Sequence, residues 1–177
     1  MNLKAVKISR FMKDYKKIVS IYKTSFPKVE QFPIWILRML SHLKNVNAFA
    51  FYDENELCGF SYFLVNDETV FILYLAVNSE IRSKGYGSQI LSWIKNKYKD
   101  KTIFLDVEKV DKCADNYNQR VNRIKFYEKN GIYQTNNFFT YDNVTYEILS
   151  TDKNMNEKRY NENLESYFKI FKKRRNN

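Results

Sequence analysis

The stretch IRSKGYGSQ, residues 81–89, holds two of the four glycines in this chain of 177 residues. It follows TVFILYLAV (69–77), a nearly continuous apolar run that is typical of a central strand covered on both faces. It precedes SQILSWIKNKYK (88–99), in which apolar residues recur at helical spacing. Residues 81–89 are therefore predicted to connect a buried strand to a helix that begins near Ser88.

A loop of this composition suits anion binding. Glycine has no Cβ to keep a phosphate away from the backbone, and it adopts the dihedral angles that turn successive N–H groups toward one anion. The helix dipole adds partial positive charge at the same place, and Arg82 and Lys84 add full charges. No GK[ST] follows, so the loop is not a Walker loop, and the third glycine of a dinucleotide-binding fingerprint is missing. It is predicted to hold a different phosphate or pyrophosphate.

Outward from this loop, hydrophobic periodicity gives the order of the remaining elements. It predicts a strand at 4–9, helices at 11–26 and 32–43, strands at 48–53 and 57–65, the strand and helix already described, a strand at 102–108, a helix at 119–131, and a closing hairpin. Gly131 is placed to end the last of these helices, and Asp142 and Asn143 are placed at the hairpin turn. The order predicts one mixed α and β domain.

Composition narrows the function classes. The net charge of +10 is spread along the chain until the final KKRRNN, which argues against a dedicated nucleic-acid surface. No apolar run approaches the roughly 18 residues that cross a bilayer, so no membrane role is expected, and the basic start lacks a signal-type apolar core. Cys58 and Cys113 have no metal-type spacing. A soluble, cytoplasmic protein without a metal site is expected.

Two segments resemble one known family, the GNAT-type N-acetyltransferases. That family carries Arg/Gln-x-x-Gly-x-Gly/Ala after its central strand, which Arg82, Gly85 and Gly87 match here, and FYEKNGI (126–132) is similar to its FYxxxGF. The order of elements matches over about residues 3–150. The resemblance implies an α+β fold in three layers (α/β/α), with a twisted, mainly antiparallel mixed sheet of six or seven strands, helices on both faces and an extra C-terminal helix.

The resemblance also implies an acetyl-CoA donor and a primary amine acceptor. The central strand of such folds splays from its neighbour, and the thioester would lie in the resulting cleft, with a backbone N–H near Val77 stabilising the oxyanion. The amine would attack directly in a ternary complex, without a metal. The residues implied to bind the coenzyme are Leu75, Ala76, Val77, Arg82, Ser83, Lys84, Gly85, Tyr86, Gly87, Ser88 and Asn122.

For proton transfer, the resemblance places Tyr127 as the acid that protonates the departing thiolate. The base is open among Glu108, Tyr74, Glu30 and water. Relatives often carry an Asn seven residues before this tyrosine, where this chain has Arg120, and histone-type members carry a base glutamate where it has Phe71. The first difference puts a coenzyme contact from this helix in doubt, and the second leaves the base unassigned.

The chain is predicted to divide into an acetyltransferase domain, 1–150, and a C-terminal segment, 151–177. In the segment, Leu164, Tyr167, Phe168 and Phe171 follow helical spacing, which predicts an amphipathic helix that packs on its own domain or on a second copy in a homodimer. Membrane-surface or nucleic-acid docking is the alternative for this helix. The alternative for the whole chain is an inactive acyl-CoA-binding module that regulates a partner.

Overall fold

The computed structural model describes residues 3–81 and 84–165, and these form seven strands and five helices. The strands are β1 (Lys4–Lys7), β2 (Val46–Asp53), β3 (Glu56–Val65), β4 (Thr69–Val77), β5 (Thr102–Glu108), β6 (Tyr133–Tyr141) and β7 (Val144–Ser150). The helices are α1 (Tyr15–Ser25), α2 (Ile34–Leu40), α3 (Tyr86–Lys97), α4 (Tyr117–Lys129) and α5, described over residues 157–165. None of these helices is long and apolar enough to span a bilayer.

The strands follow the order β1-β2-β3-β4-β5-β7-β6. β4 and β5 run parallel, while the β1–β2, β2–β3, β5–β7 and β6–β7 pairs are antiparallel. The predicted α+β class, with a mixed and mainly antiparallel sheet, is confirmed. The chain divides into two compact units, residues 1–64 with 72–99 and residues 65–71 with 100–177.

In the first unit, helices cover both faces of the strands. Phe49 pairs with Ser61 and Ala50 with Phe60, so Phe49 and Phe60 point to opposite faces. The Trp93 ring of α3 lies 5.1 Å from the ring of Phe49, whereas the Tyr22 ring of α1 lies 6.3 Å from that of Phe60. The strands of this unit are therefore the middle of three layers, as predicted.

In the second unit, the C-terminal segment packs onto the strands. The Tyr160 ring of α5 lies 5.6 Å from that of Phe104 in β5 and 5.1 Å from that of Phe139 in β6. Met155 and Tyr160 are both buried. Met155 and Tyr160 thus belong to this unit's core, while Tyr167, Phe168 and Phe171 of the predicted helix lie outside the described residues. The domain boundary at 150 stays a prediction.

Several helix limits differ from the predicted ones. α1 begins at Tyr15 rather than residue 11, and Phe11 stays 80% exposed. α3 begins at Tyr86, two residues before the predicted Ser88, because Gly85 is already the N-cap of the helix. Gly87 therefore lies in the first helical turn, and its predicted place in the loop is wrong. Gly131 at φ 74° ends α4 as predicted, and Asp142 and Asn143 form the hairpin turn at φ 48° and 62°.

Candidate functional site

The N-terminus of α3 is the centre of the candidate site, and Gly85 shapes it. Gly85 has φ 73° and ψ 13°, the left-handed conformation that L side chains rarely adopt. A Cβ built on it would meet no described atom within 4 Å, so the space beside its backbone is open. The first turn of α3 carries no acidic side chain. The first N–H groups of a helix have no partner within it, and the helix dipole adds partial positive charge at this end.

The buried side chain of Tyr86 anchors the N-terminus of α3 to the end of β2. Its hydroxyl donates to the Asp53 Oδ2 at 2.9 Å, and the side chain is 3% exposed. The hydrogen bond to the Asp53 carboxylate, followed by burial, raises the pKa of Tyr86 well above its ordinary value. Gly87 is also buried, whereas Lys84 is exposed. Tyr86 therefore contributes its backbone rather than its side chain to the open side of the loop.

Asn78 holds the end of β4, and the sequence analysis did not single it out. Its backbone N–H donates to the Cys58 carbonyl at 2.8 Å, its Nδ2 donates to the Leu57 carbonyl at 3.2 Å, and its Oδ1 accepts the N–H of Glu80 at 3.2 Å. The signal was available, because an Asn directly after an apolar strand often bonds the backbone two residues on. Asn78 fixes where β4 stops and the loop begins.

Gly59 is a second missed position. A Cβ there would clash with the Ala76 carbonyl oxygen and lie 3.1 Å from the Val77 Cα. Only glycine therefore lets β3 approach this part of β4, and an isolated glycine inside a strand pattern is the sequence signal for such an approach. Along β4, Ala76 is buried while Leu75 and Val77 are partly exposed. The described pairing of β4 with β5 joins 69–71 to 102–104, the first three residues of β4.

Tyr74 and Glu30, two base candidates, meet on the α1–α2 side of the first unit. The Tyr74 hydroxyl donates to the Glu30 carbonyl oxygen and accepts the N–H of Phe32 at 3.3 Å. Burial is the main cause that raises the pKa of Tyr74 far above its ordinary value. A hydroxyl that keeps its proton and has two backbone partners is suited to holding the 30–32 segment. This arrangement favours a positioning role over that of a proton acceptor.

Tyr127 lies on α4 in the second unit and is 8% exposed. Burial raises its pKa to about 12; the nearby Arg123 charge opposes the increase and the Asp106 charge adds to it. Within residues 3–81 and 84–165, its hydroxyl has no hydrogen-bond partner. A neutral, unengaged hydroxyl that keeps its proton at neutral pH is what a general acid requires.

Asp106 is a third residue that the sequence analysis missed. Its Oδ1 accepts the Tyr160 hydroxyl at 2.9 Å, and burial raises its pKa to about 6 despite that hydrogen bond. A carboxyl group that titrates near neutrality can accept or release a proton under working conditions. The signal was a single carboxylate within the apolar run TIFLDV, residues 102–107. Asp106 joins the candidates for the base.

Glu108, the base candidate on β5, is engaged on both oxygens. Arg120 Nη2 lies 2.9 Å from its Oε1, and Arg123 Nη1 lies 3.6 Å from its Oε2. Asn116 Nδ2 also donates to Oε2 at 3.3 Å. A role as base would require these partners to move, so the geometry favours a structural ion-pair network. Arg120, which stands where the resemblance predicts an asparagine, is held in this network.

Asn122 is exposed on α4, and Ser88 is partly buried in the first turn of α3. Arg82 and Ser83 lie outside the described residues. Over the described ranges, no cluster of three or more His, Cys, Asp or Glu side chains is arranged to hold a metal ion.

The family model for an acetyltransferase (GNAT) domain matches residues 44–131, which include β2 to β5, the Gly85 loop and α4. Residues 44–131 therefore form a GNAT acetyltransferase domain. The matched segment contains both stretches that carried the predicted resemblance, IRSKGYGSQ and FYEKNGI, except for the final isoleucine of the second. No curated protein matches the chain.

Solved GNAT structures share the fold. A putative GNAT-family acetyltransferase from Bacteroides thetaiotaomicron is 20% identical, with 93% of this chain and 95% of that chain covered and a TM-score of 0.71. A GNAT acetyltransferase from Elizabethkingia anophelis with acetyl-CoA bound is 13% identical, with 85% of this chain and 98% of that chain covered and a TM-score of 0.59. The aminoglycoside 6'-N-acetyltransferase from Enterococcus faecium is 16% identical, with 83% of this chain and 95% of that chain covered and a TM-score of 0.61. At sequence identities of 13% to 20%, the similarity to these structures shows the fold alone.

Proposed function

We propose that this GNAT protein transfers the acetyl group of acetyl-CoA to a primary amine by direct attack in a ternary complex. The observation that carries the proposal is Gly85, a left-handed N-cap with open space beside its backbone, directly before α3. A pyrophosphate carries negative charge and many acceptor oxygens, which the N–H groups and dipole of this terminus complement. Lys84, exposed at the same turn, adds a full charge.

The proposed reaction is acyl transfer from the thioester to the amine. The amine nitrogen forms a bond to the thioester carbonyl carbon, and a backbone N–H near Val77 stabilises the oxyanion. The C–S bond then breaks, the thiolate takes a proton from Tyr127, and the amine loses one to a base or to water. Among the base candidates, the raised pKa of Asp106 fits that task better than the engaged carboxylate of Glu108. The acetyl-CoA bound in the Elizabethkingia anophelis protein and the N-acetylation named for the Enterococcus faecium enzyme support the donor and the amine.

The donor site is tested by Gly85→Val, measured by calorimetric titration with acetyl-CoA. Valine resists φ near 73° and fills the space that the pyrophosphate would use. Losing two charge-assisted hydrogen bonds should weaken binding by about 100-fold. Gly131→Val is the matched control, because Gly131 has φ 74° at the end of α4 in the second unit. It should strain the backbone similarly and leave acetyl-CoA affinity within about threefold.

Unchanged affinity in Gly85→Val, or an equal loss in both variants, would contradict the donor site. Catalysis is tested separately, by thiol release from acetyl-CoA against a library of amines that includes polyamines, aminoglycosides and peptides. Turnover with at least one amine is expected. Tight acetyl-CoA binding without turnover on any amine would support the alternative, an acyl-CoA-binding module that acts through a partner.

A further inference from the structure

The first unit contains a cavity of about 590 Å³ between α1, α2 and the strands. Its floor is apolar and mostly buried, with Ile18, Ala48 and Phe60 at 5%, 3% and 4% exposure. A volume of this size is in the range of about 300 to 1,000 Å³ typical of small-molecule sites. We refer to it as the α1–α2 cavity.

The tyrosines of the floor present rings rather than free hydroxyls. Tyr62 donates its hydroxyl to the Leu37 carbonyl at 3.0 Å, and Tyr22 donates to the Phe32 carbonyl at 3.1 Å. Ser41, on the wall, likewise donates to the Arg38 carbonyl at 2.8 Å. Because these hydroxyls are already engaged, the inner part of the cavity suits an apolar group.

The lining carries positive charge without a compensating acid. Lys7, Arg10 and Arg38 all line the cavity, and its lining includes no Asp or Glu. All three are exposed, and none forms an ion pair with any residue in the described ranges. The Arg10 guanidinium lies 4.3 Å above the Phe11 ring centroid, so this cation is held at the wall by an aromatic face. A ligand with one negative group would therefore pair with cations that form no ion pair among the described residues.

We propose that the α1–α2 cavity binds a small amphipathic anion, an alkyl or aryl chain that ends in a carboxylate. The apolar part occupies the floor formed by Ile18, Ala48 and Phe60, and the carboxylate lies among Lys7, Arg10 and Arg38. None of the described residues proposed to bind acetyl-CoA lines the cavity. The site is therefore separate from the donor site, and the proposal does not rest on the acetyltransferase activity.

The test compares octanoate, octan-1-ol and octylamine, three probes with the same chain and different head groups, titrated into the full chain by calorimetry. Octanoate should bind at least about tenfold more tightly than octan-1-ol, because a charge-assisted contact replaces a neutral one. Octylamine should show no measurable binding at this site. Octanoate affinity should fall as salt rises and should not change when the protein is saturated with acetyl-CoA.

The variants locate the binding. Arg38→Gln should weaken octanoate by about threefold to tenfold, while Lys16→Gln, an exposed cation on α1 that does not line the cavity, should leave it unchanged. Val19→Phe, which fills the partly buried wall, should weaken octanoate and octan-1-ol alike. Equal affinity for all three probes, an equal effect of Arg38→Gln and Lys16→Gln, or competition with acetyl-CoA would each overturn the proposal. Failure of Gly85→Val to affect acetyl-CoA would bear on the donor site alone.

Discussion

Tyr74 in the first unit and Tyr127 in the second are both nearly buried tyrosines that the sequence analysis assigned to catalysis, yet their hydroxyl groups have different surroundings. That of Tyr74 donates to one backbone group and accepts from another, and these bonds hold the segment between α1 and α2. That of Tyr127 has no hydrogen-bond partner in the described residues. The comparison separates a positioning tyrosine from one available for proton transfer.

Removing the Tyr127 hydroxyl should give the largest effect on catalysis. We expect Tyr127→Phe to lower kcat by about 100-fold, because a positioned general acid contributes about 100- to 10,000-fold. The free energy of unfolding should stay within about 0.5 kcal/mol, since no described hydrogen bond is lost. The measurements are steady-state rates with an amine from the library and urea unfolding. A variant with unchanged kcat at every pH would show that Tyr127 is not the acid.

Removing the Tyr74 hydroxyl should give the converse result. Tyr74→Phe leaves the Glu30 carbonyl and the Phe32 N–H without this partner, so we expect a loss of about 2 kcal/mol in the free energy of unfolding. Tyr22→Phe, which loses one bond to the Phe32 carbonyl, is the control and should cost about 1 kcal/mol. The kcat of Tyr74→Phe should change far less than that of Tyr127→Phe. A 100-fold loss of kcat with unchanged stability would instead make Tyr74 catalytic.

The order of elements and the glycine loop could be predicted because their signals are local. A buried strand, a left-handed glycine and an amphipathic helix each depend on a few neighbouring residues. All three occur together in the segment from β4 through Gly85 to α3. The helix start was placed two residues late because Gly85 and Gly87 look alike in the sequence, although only Gly85 has a positive φ. Sequence alone does not show which of two nearby glycines takes that conformation.

The partners of the polar side chains could not be predicted, because they come from distant parts of the chain. Glu108 was considered as a base, but Arg120 and Arg123 bind it from a helix that the sequence places a loop away. Asp106 was overlooked because its pKa depends on burial and on Tyr160, which lies 54 residues further along the chain. The α1–α2 cavity likewise exists only once α1, α2 and strands β1 to β3 pack around it. These features depend on tertiary structure, which no local pattern encodes.

The last prediction concerns the second unit and uses the pH dependence of Asp106, with no expected effect on binding of acetyl-CoA. Its folded pKa, about 6, is raised above the ordinary 3.8, so its protonated form is favoured in the folded state. Below about pH 4 both states are protonated, and as pH rises from about 4 through 6 the wild type should lose up to about 3 kcal/mol relative to Asp106→Asn. Above about pH 7 the difference should level off. Urea unfolding of both proteins between pH 3 and 8 measures it.

Asp152 supplies a control of opposite sign in the same unit. The Asn154 N–H and then Arg159 lower its pKa, so its stabilising effect is present above about pH 4 and is lost as pH falls below that value. Asp152→Asn should therefore approach the wild type in stability in acid, whereas Asp106→Asn should gain on it toward neutral pH. If both variants followed the wild type in parallel across the range, neither carboxylate would be perturbed as the structure indicates. If only Asp106→Asn did so, the surroundings of Asp106 would resemble water, and its candidacy as the base would lose its physical support.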